Sequence, residues 1–108
     1  MTEPLDVLVF YVPVADTDDV LAALFDVGAG RVGDYDSCAF VAAGTGQFRR
    51  LPGASRAVGE GGVVEKVAEN RVELIFRRSL RETVVARLRE AHPYEEPAFH
   101  VLRNEASG

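Results

Sequence analysis

Val72-Glu73-Leu74-Ile75-Phe76-Arg77-Arg78-Ser79-Leu80-Arg81-Glu82-Thr83-Val84-Val85-Ala86-Arg87-Leu88 changes its hydrophobic period within a single run. In its first part Val72, Leu74 and Phe76 share one face while Glu69, Arg71 and Glu73 share the other, the pattern of a half-buried strand. Ser79-Leu80-Arg81-Glu82 then has the form of a capping box. Leu80, Val84, Leu88 and Ala91 follow at helical spacing and define the inner stripe of a helix. An amphipathic strand passing straight into an amphipathic helix predicts a sheet with helices packed on it.

The flanking sequence extends this reading. Residues 5–14 are rich in Val, Leu, Phe and Tyr and predict a buried strand closed by Pro13. Asp16 is the expected N-cap of a helix over 17–27, with Asp18 and Asp19 favourable in its first turn and Val20, Leu21, Leu24 and Phe25 on its apolar stripe. Gly28 or Gly30 is suited to the left-handed cap at its end. A second strand is expected over 35–43, a turn at Gly44-Thr45-Gly46, a short continuation over 47–51 and an irregular loop or hairpin arm over 52–62. The long strand then covers 63–77, with a bend near Glu69-Asn70, and a last strand covers 98–102 before a frayed tail from Asn104. The order β-α-β-β-α-β is that of a ferredoxin-like split-βαβ sandwich: an α+β fold with an antiparallel sheet and both helices on one face. At 108 residues this is one domain, 1–108, with its core over about 5–103.

Composition narrows the function classes. A formal charge of −5 and a pI near 5.0 leave no basic face for phosphates, so nucleic acid is not an expected partner. No apolar run reaches membrane-spanning length, and Met1-Thr2-Glu3-Pro4 has neither the basic nor the apolar region of a signal peptide, so a cytoplasmic protein is expected. Cys38 is the only cysteine, which rules out a disulfide within the chain.

His92-Pro93-Tyr94-Glu95-Glu96-Pro97 gathers an imidazole, a phenol and two carboxylates between prolines. Pro93 and Pro97 fix their own φ and push the preceding residue out of helical geometry, so His92 is expected to end the second helix. Two roles stay open for His92: satisfying the last carbonyls of that helix, or serving a pocket or interface. Cys38, expected in strand alternation with Asp36 and Phe40, reads either as a small buried hydrophobe or as a nucleophile paired with His92. Cys38, His92 and Glu95 together make a conceivable donor set for a divalent metal, although their spacing matches no known ligand pattern. Gly28-Ala29-Gly30-Arg31-Val32-Gly33 matches G-x-G-x-x-G, but it closes a helix and leads toward a strand. It therefore presents the wrong dipole end to a dinucleotide.

Taken in order, Tyr11-Val12-Pro13, the run from Gly28 through Gly33 to Cys38-Ala39-Phe40, Gly44-Thr45-Gly46-Gln47-Phe48, Gly59-Glu60-Gly61-Gly62 and the 92–97 hexapeptide resemble the YqfO domain. That domain is the CutA/PII-like module inserted in many dinuclear-metal-centre hexameric proteins and also found alone. The hexapeptide is similar to the His-Pro-Tyr segment of CutA as well. The resemblance implies a sandwich that assembles through its sheet, commonly as a trimer, and does not imply the dinuclear metal site of the larger proteins. The expected function is a binding or regulatory module without catalysis of its own. Its site would lie between subunits, with Tyr35, Cys38, Phe48, His92, Tyr94 and Glu95 lining it. A divalent-metal or metal-tolerance role is the alternative, an enzyme using His92 as general base ranks last, and a protein partner is a further expectation.

Overall fold

The computed structural model describes residues 3–51 and 62–105. Four strands and two helices follow in the expected order: β1 (Leu5–Pro13), α1 (Thr17–Asp26), β2 (Phe40–Arg49), β3 (Val64–Arg77), α2 (Arg81–Ala91) and β4 (Phe99–Arg103). The sheet order is β2-β3-β1-β4 with every neighbouring pair antiparallel. This is the split-βαβ sandwich, with β3 slotted between the two strands that α1 connects. Among the described residues no helix is long and apolar enough to cross a membrane.

Alternation in the strands decides which side chains the helices cover. Register pairs Leu8 with Leu74 and Phe10 with Val72, so these share one sheet face. They are buried with Val12 and Phe76 against Val20, Leu21 and Leu24 of α1 and Val84 and Leu88 of α2. Burying a side chain of this size contributes about 1.5–3 kcal/mol, so this cluster is the main source of stability. The helix stripes are those the spacing predicts, with Phe25, Leu80 and Ala91 packed at the cluster's margin. The opposite sheet face carries Val7, Val9, Tyr11, Arg71, Glu73 and Ile75, which alternate with the core residues.

Four local expectations are corrected. Gly44-Thr45-Gly46 makes no turn: it lies inside β2, paired with Glu69, Ala68 and Val67 of β3. The strand expected from Tyr35 begins only at Phe40, because Val32 and Tyr35 close a tight bridged turn and Ser37 takes a left-handed φ of 56°. Cys38 therefore sits in a loop, not in strand alternation. Both helices are entered through a 3-10 turn, at residues Val14–Asp16 and Arg78–Leu80. As a result neither Asp16 nor the Ser79 box makes a side-chain cap, and the Ser79 N–H instead donates to the Glu3 carboxylate at 2.7 Å. The loop expected over 52–62 lies, apart from Gly62, outside the described residues. The Gly62 N–H donates to the Arg50 carbonyl at 2.8 Å.

Gly30 explains why the glycine-rich run follows α1. Its φ is +81°, its N–H donates to Ile75 O at 2.7 Å, and its carbonyl accepts from the Cys38 N–H at 2.8 Å. A Cβ there would stand 2.8 Å from the Phe25 ring, so glycine alone lets the chain cross the end of β3 this closely.

Asp6 ties three segments together. Its carboxylate is buried on β1 and accepts Arg78 Nε at 3.0 Å and a second guanidinium nitrogen at 2.8 Å, while the Asn104 N–H after β4 approaches it at 3.4 Å. The Arg78 bonds hold the Asp6 carboxyl below the ordinary aspartate range. A depressed carboxylate pKa gives stability that is complete above the unfolded value of about 4 and lost as pH falls through the folded one. The thermal midpoint of the wild type is therefore expected to exceed that of Asp6→Asn at pH 7. The gap should close as melting curves are taken below about pH 4; a gap independent of pH would contradict this role.

Candidate functional site around Tyr94

Pro93 ends α2 as expected. His92 is extended (φ −72°, ψ 138°), and its backbone N–H closes the helix on Leu88 O at 2.9 Å. Its ring does not serve the helix's last carbonyls but reaches β1. Nε2–H donates to Tyr11 O at 2.7 Å, and Nδ1 accepts the Tyr94 N–H at 3.1 Å. This network assigns the Nε2–H tautomer and uses both ring nitrogens. The imidazole is 5% exposed and stands edge-on to Phe10.

The hexapeptide then returns to the same strand. Register pairs Phe10 with Phe99, and the next residue inward completes the ladder: Tyr11 N–H donates to Ala98 O at 3.2 Å. The main chain of Tyr11 is thus held from both ends of the 92–97 segment. Its N–H is bound after the second proline and its carbonyl before the first. Pro97 is buried, whereas residues 93–96 are exposed.

Between these anchors Tyr94 is held in place by two contacts with His92: its ring is tilted against the imidazole at 5.1 Å and its N–H is bound to Nδ1. Its phenol shares a cavity with the Glu69 carboxylate of β3. Glu69 lies on the open sheet face and crosses β2 over Gly46, where a Cβ would overlap its carboxylate. Gly46 is therefore a passage for a side chain and not a turn residue. Burial, then the negative charge of Glu69 and, more weakly, that of Asp16, push the Tyr94 phenol above the usual tyrosine range. The protonated phenol contributes stability fully present below the ordinary pKa of about 10 and lost as pH rises through the folded value.

Tyr94 forms one wall of a cavity of about 540 Å³, with Tyr11, Phe48, Arg50, Glu69 and Glu96 among its lining residues. Of the residues singled out in the sequence, Tyr94 and Phe48 meet here, and His92 supports the wall from behind. Glu95 is exposed and does not line the cavity; its neighbour Glu96 does. Cys38 lines a different groove of about 360 Å³ with Val7, Val32, Phe40, Glu73 and Ile75. Tyr35 is 74% exposed in its turn and lines neither. Cys38, His92 and Glu95 are thus not brought together in this chain. Among the described residues no group of three or more His, Cys, Asp or Glu could hold a metal ion. Within this chain both His92 nitrogens are engaged in main-chain bonds and Cys38 lines a different groove. Tyr11 and Glu69 were missed as site residues, though alternation had already placed Glu69 away from the core.

Two substitutions separate support from wall. His92→Ala removes two bonds and strands the Tyr11 carbonyl, a loss of about 1–3 kcal/mol measurable by urea unfolding. Gly46→Ala displaces only the flexible end of Glu69. It is expected to change stability little while moving the Tyr94 ionisation, followed by ultraviolet titration against Tyr94→Phe, back toward the ordinary tyrosine value; an unmoved titration would contradict the influence of Glu69.

No family model matches the chain. Proteins named GTP cyclohydrolase 1 type 2 homolog do: that of Mycobacterium tuberculosis is 52% identical over 98 residues, covering 91% of this chain and 26% of the relative. That of Bacillus subtilis is 42% identical over 100 residues, covering 93% and 27%. The chain therefore spans about a quarter of the length of the curated relatives it matches. Among solved structures, a Bacillus cereus protein related to NIF3 superposes with a TM-score of 0.83 at 38% identity, over 100% of this chain and 28% of that one. The divalent ion tolerance protein CutA1 of Ehrlichia chaffeensis superposes with a TM-score of 0.74 at 15% identity, over 100% and 88%, a likeness of fold alone. The chain thus matches one segment of the GTP cyclohydrolase 1 type 2 homologs and of a NIF3-related protein along nearly its whole length, on a CutA1-type sandwich, which agrees with its resemblance to the YqfO domain, the CutA/PII-like module.

Proposed function

We propose that the chain acts as an oligomeric CutA/PII-like binding or regulatory module, without chemistry of its own, whose ligand enters the cavity between Tyr94 and Phe48. The observation that carries this reading is the cavity's construction. Two partly exposed aromatic rings from distant parts of the chain line it together, and one is held by His92 before anything binds. A wall ordered in advance lowers the entropy cost of binding. The activity suggested by the name of the larger relatives concerns chains about four times this span and is not part of the reading.

Assembly is proposed through the sheet face that the helices leave uncovered. Phe40 and Leu102 lie there 65% and 47% exposed, beside the half-buried Val7 and Ile75, on a face that also carries the Arg71–Glu73 ion pair. An apolar face of this kind is favoured as a subunit contact, and the family resemblance makes a trimer the expected state. Light scattering at micromolar concentration is expected to give a trimer for the wild type. Phe40→Glu/Leu102→Glu is expected to give a folded monomer with unchanged far-ultraviolet circular dichroism. A wild type that stays monomeric sinks the assembly.

A further inference from the structure

The same cavity carries a statement about the chemical class of its ligand. Three rings line it: Tyr11, Phe48 and Tyr94. The faces of aromatic rings are the negative ends of their quadrupoles and attract cations. The charged groups lining it among the described residues are the carboxylates of Glu69 and Glu96 and the guanidinium of Arg50, which leaves negative charge in excess. The Glu69 carboxylate lines the cavity beside Tyr94 and has lone pairs for a cationic donor. Asp16 adds to the negative field at the phenol. A neutral apolar guest would desolvate these carboxylates without return, and an anion would meet them directly. The volume of about 540 Å³ is that of a small-molecule site.

We infer that the cavity receives a small organic cation, an alkylammonium or guanidinium group, between the rings of Tyr94 and Phe48 with Glu69 and Glu96 as counter-charges. This rests on the cavity being the ligand site of the module. The cavity's lining supplies both halves of the recognition: aromatic rings whose desolvation costs little, and carboxylates contributed by β3 and the hexapeptide. Tyr94 does not have to be ordered by the guest, because His92 already holds it.

Three probes with one apolar tail and different heads test this on the full 108-residue chain: hexyltrimethylammonium, 1-hexanol and hexanoate. Binding is followed by aromatic carbon-proton NMR of the lining rings. The expected result is that the ammonium shifts Tyr94 and Phe48 and binds at least about tenfold more tightly than the other two. Glu69→Gln/Glu96→Gln should erase that preference while the ring signals stay folded. Equal or tighter binding of hexanol or hexanoate at the same rings overturns the cation inference and leaves the cavity as a ligand site. If no probe shifts any lining ring, the cation inference falls. If Tyr94→Ala also leaves the ring spectrum of Phe48 unchanged, the two residues do not share a site and the cavity reading falls with it.

Discussion

One face of a four-stranded sheet must be kept from water, and every other feature of this chain is arranged around that constraint. Leu8, Phe10, Val12, Val72, Leu74 and Phe76 satisfy it only if β1 and β3 pair as Leu8 with Leu74 and Phe10 with Val72. A slip of one residue would turn the three belonging to one of the two strands toward solvent and bring Tyr11, or Arg71 and Glu73, under the helices in their place. The core therefore sets the register. The register in turn places Tyr11 and Glu69 on the uncovered face, where they meet the hexapeptide and the cavity.

The hexapeptide is a structural clamp first and a cavity wall second. Its prolines stop α2 and hold the segment extended, and its histidine completes the hydrogen bonding of β1 where β4 has run out. Because both nitrogens of His92 are engaged with main chain, the residue that looks most chemical in the sequence is the one with the least freedom to act. Tyr94 inherits the functional position. It is the side chain that the clamp orients outward, and the Glu69 carboxylate that shares its cavity lies across Gly46, where a Cβ would overlap it.

The strands, the helices and the core stripe were legible because period two and period 3.6 are local signals carried by residues such as Val72, Leu74, Val84 and Leu88. The errors cluster where glycine or a 3-10 turn intervened. Gly44 and Gly46 carry the usual mark of a turn, yet here the missing Cβ makes room for a side chain from the next strand. Ser79 has the right spacing for a cap, yet the 3-10 turn at residues Arg78–Leu80 displaces it, and Glu3, far away in sequence, takes its N–H. Cys38 was assigned to a strand that starts two residues later, because the left-handed Ser37 was not visible from composition.

By itself the sequence determined the order of elements, the buried face of each and the resemblance to one domain type, since these depend on spacing along the chain and on an ordered set of motifs. Which side chains share a cavity was decided only by tertiary structure. Phe48 and Tyr94 meet, and Cys38 and His92 do not, because strand register and the path of the chain after α2 set those positions. Periodicity says which way a side chain faces on its own element. It carries no information about what another element, brought alongside by hydrogen bonds between strands, places opposite it.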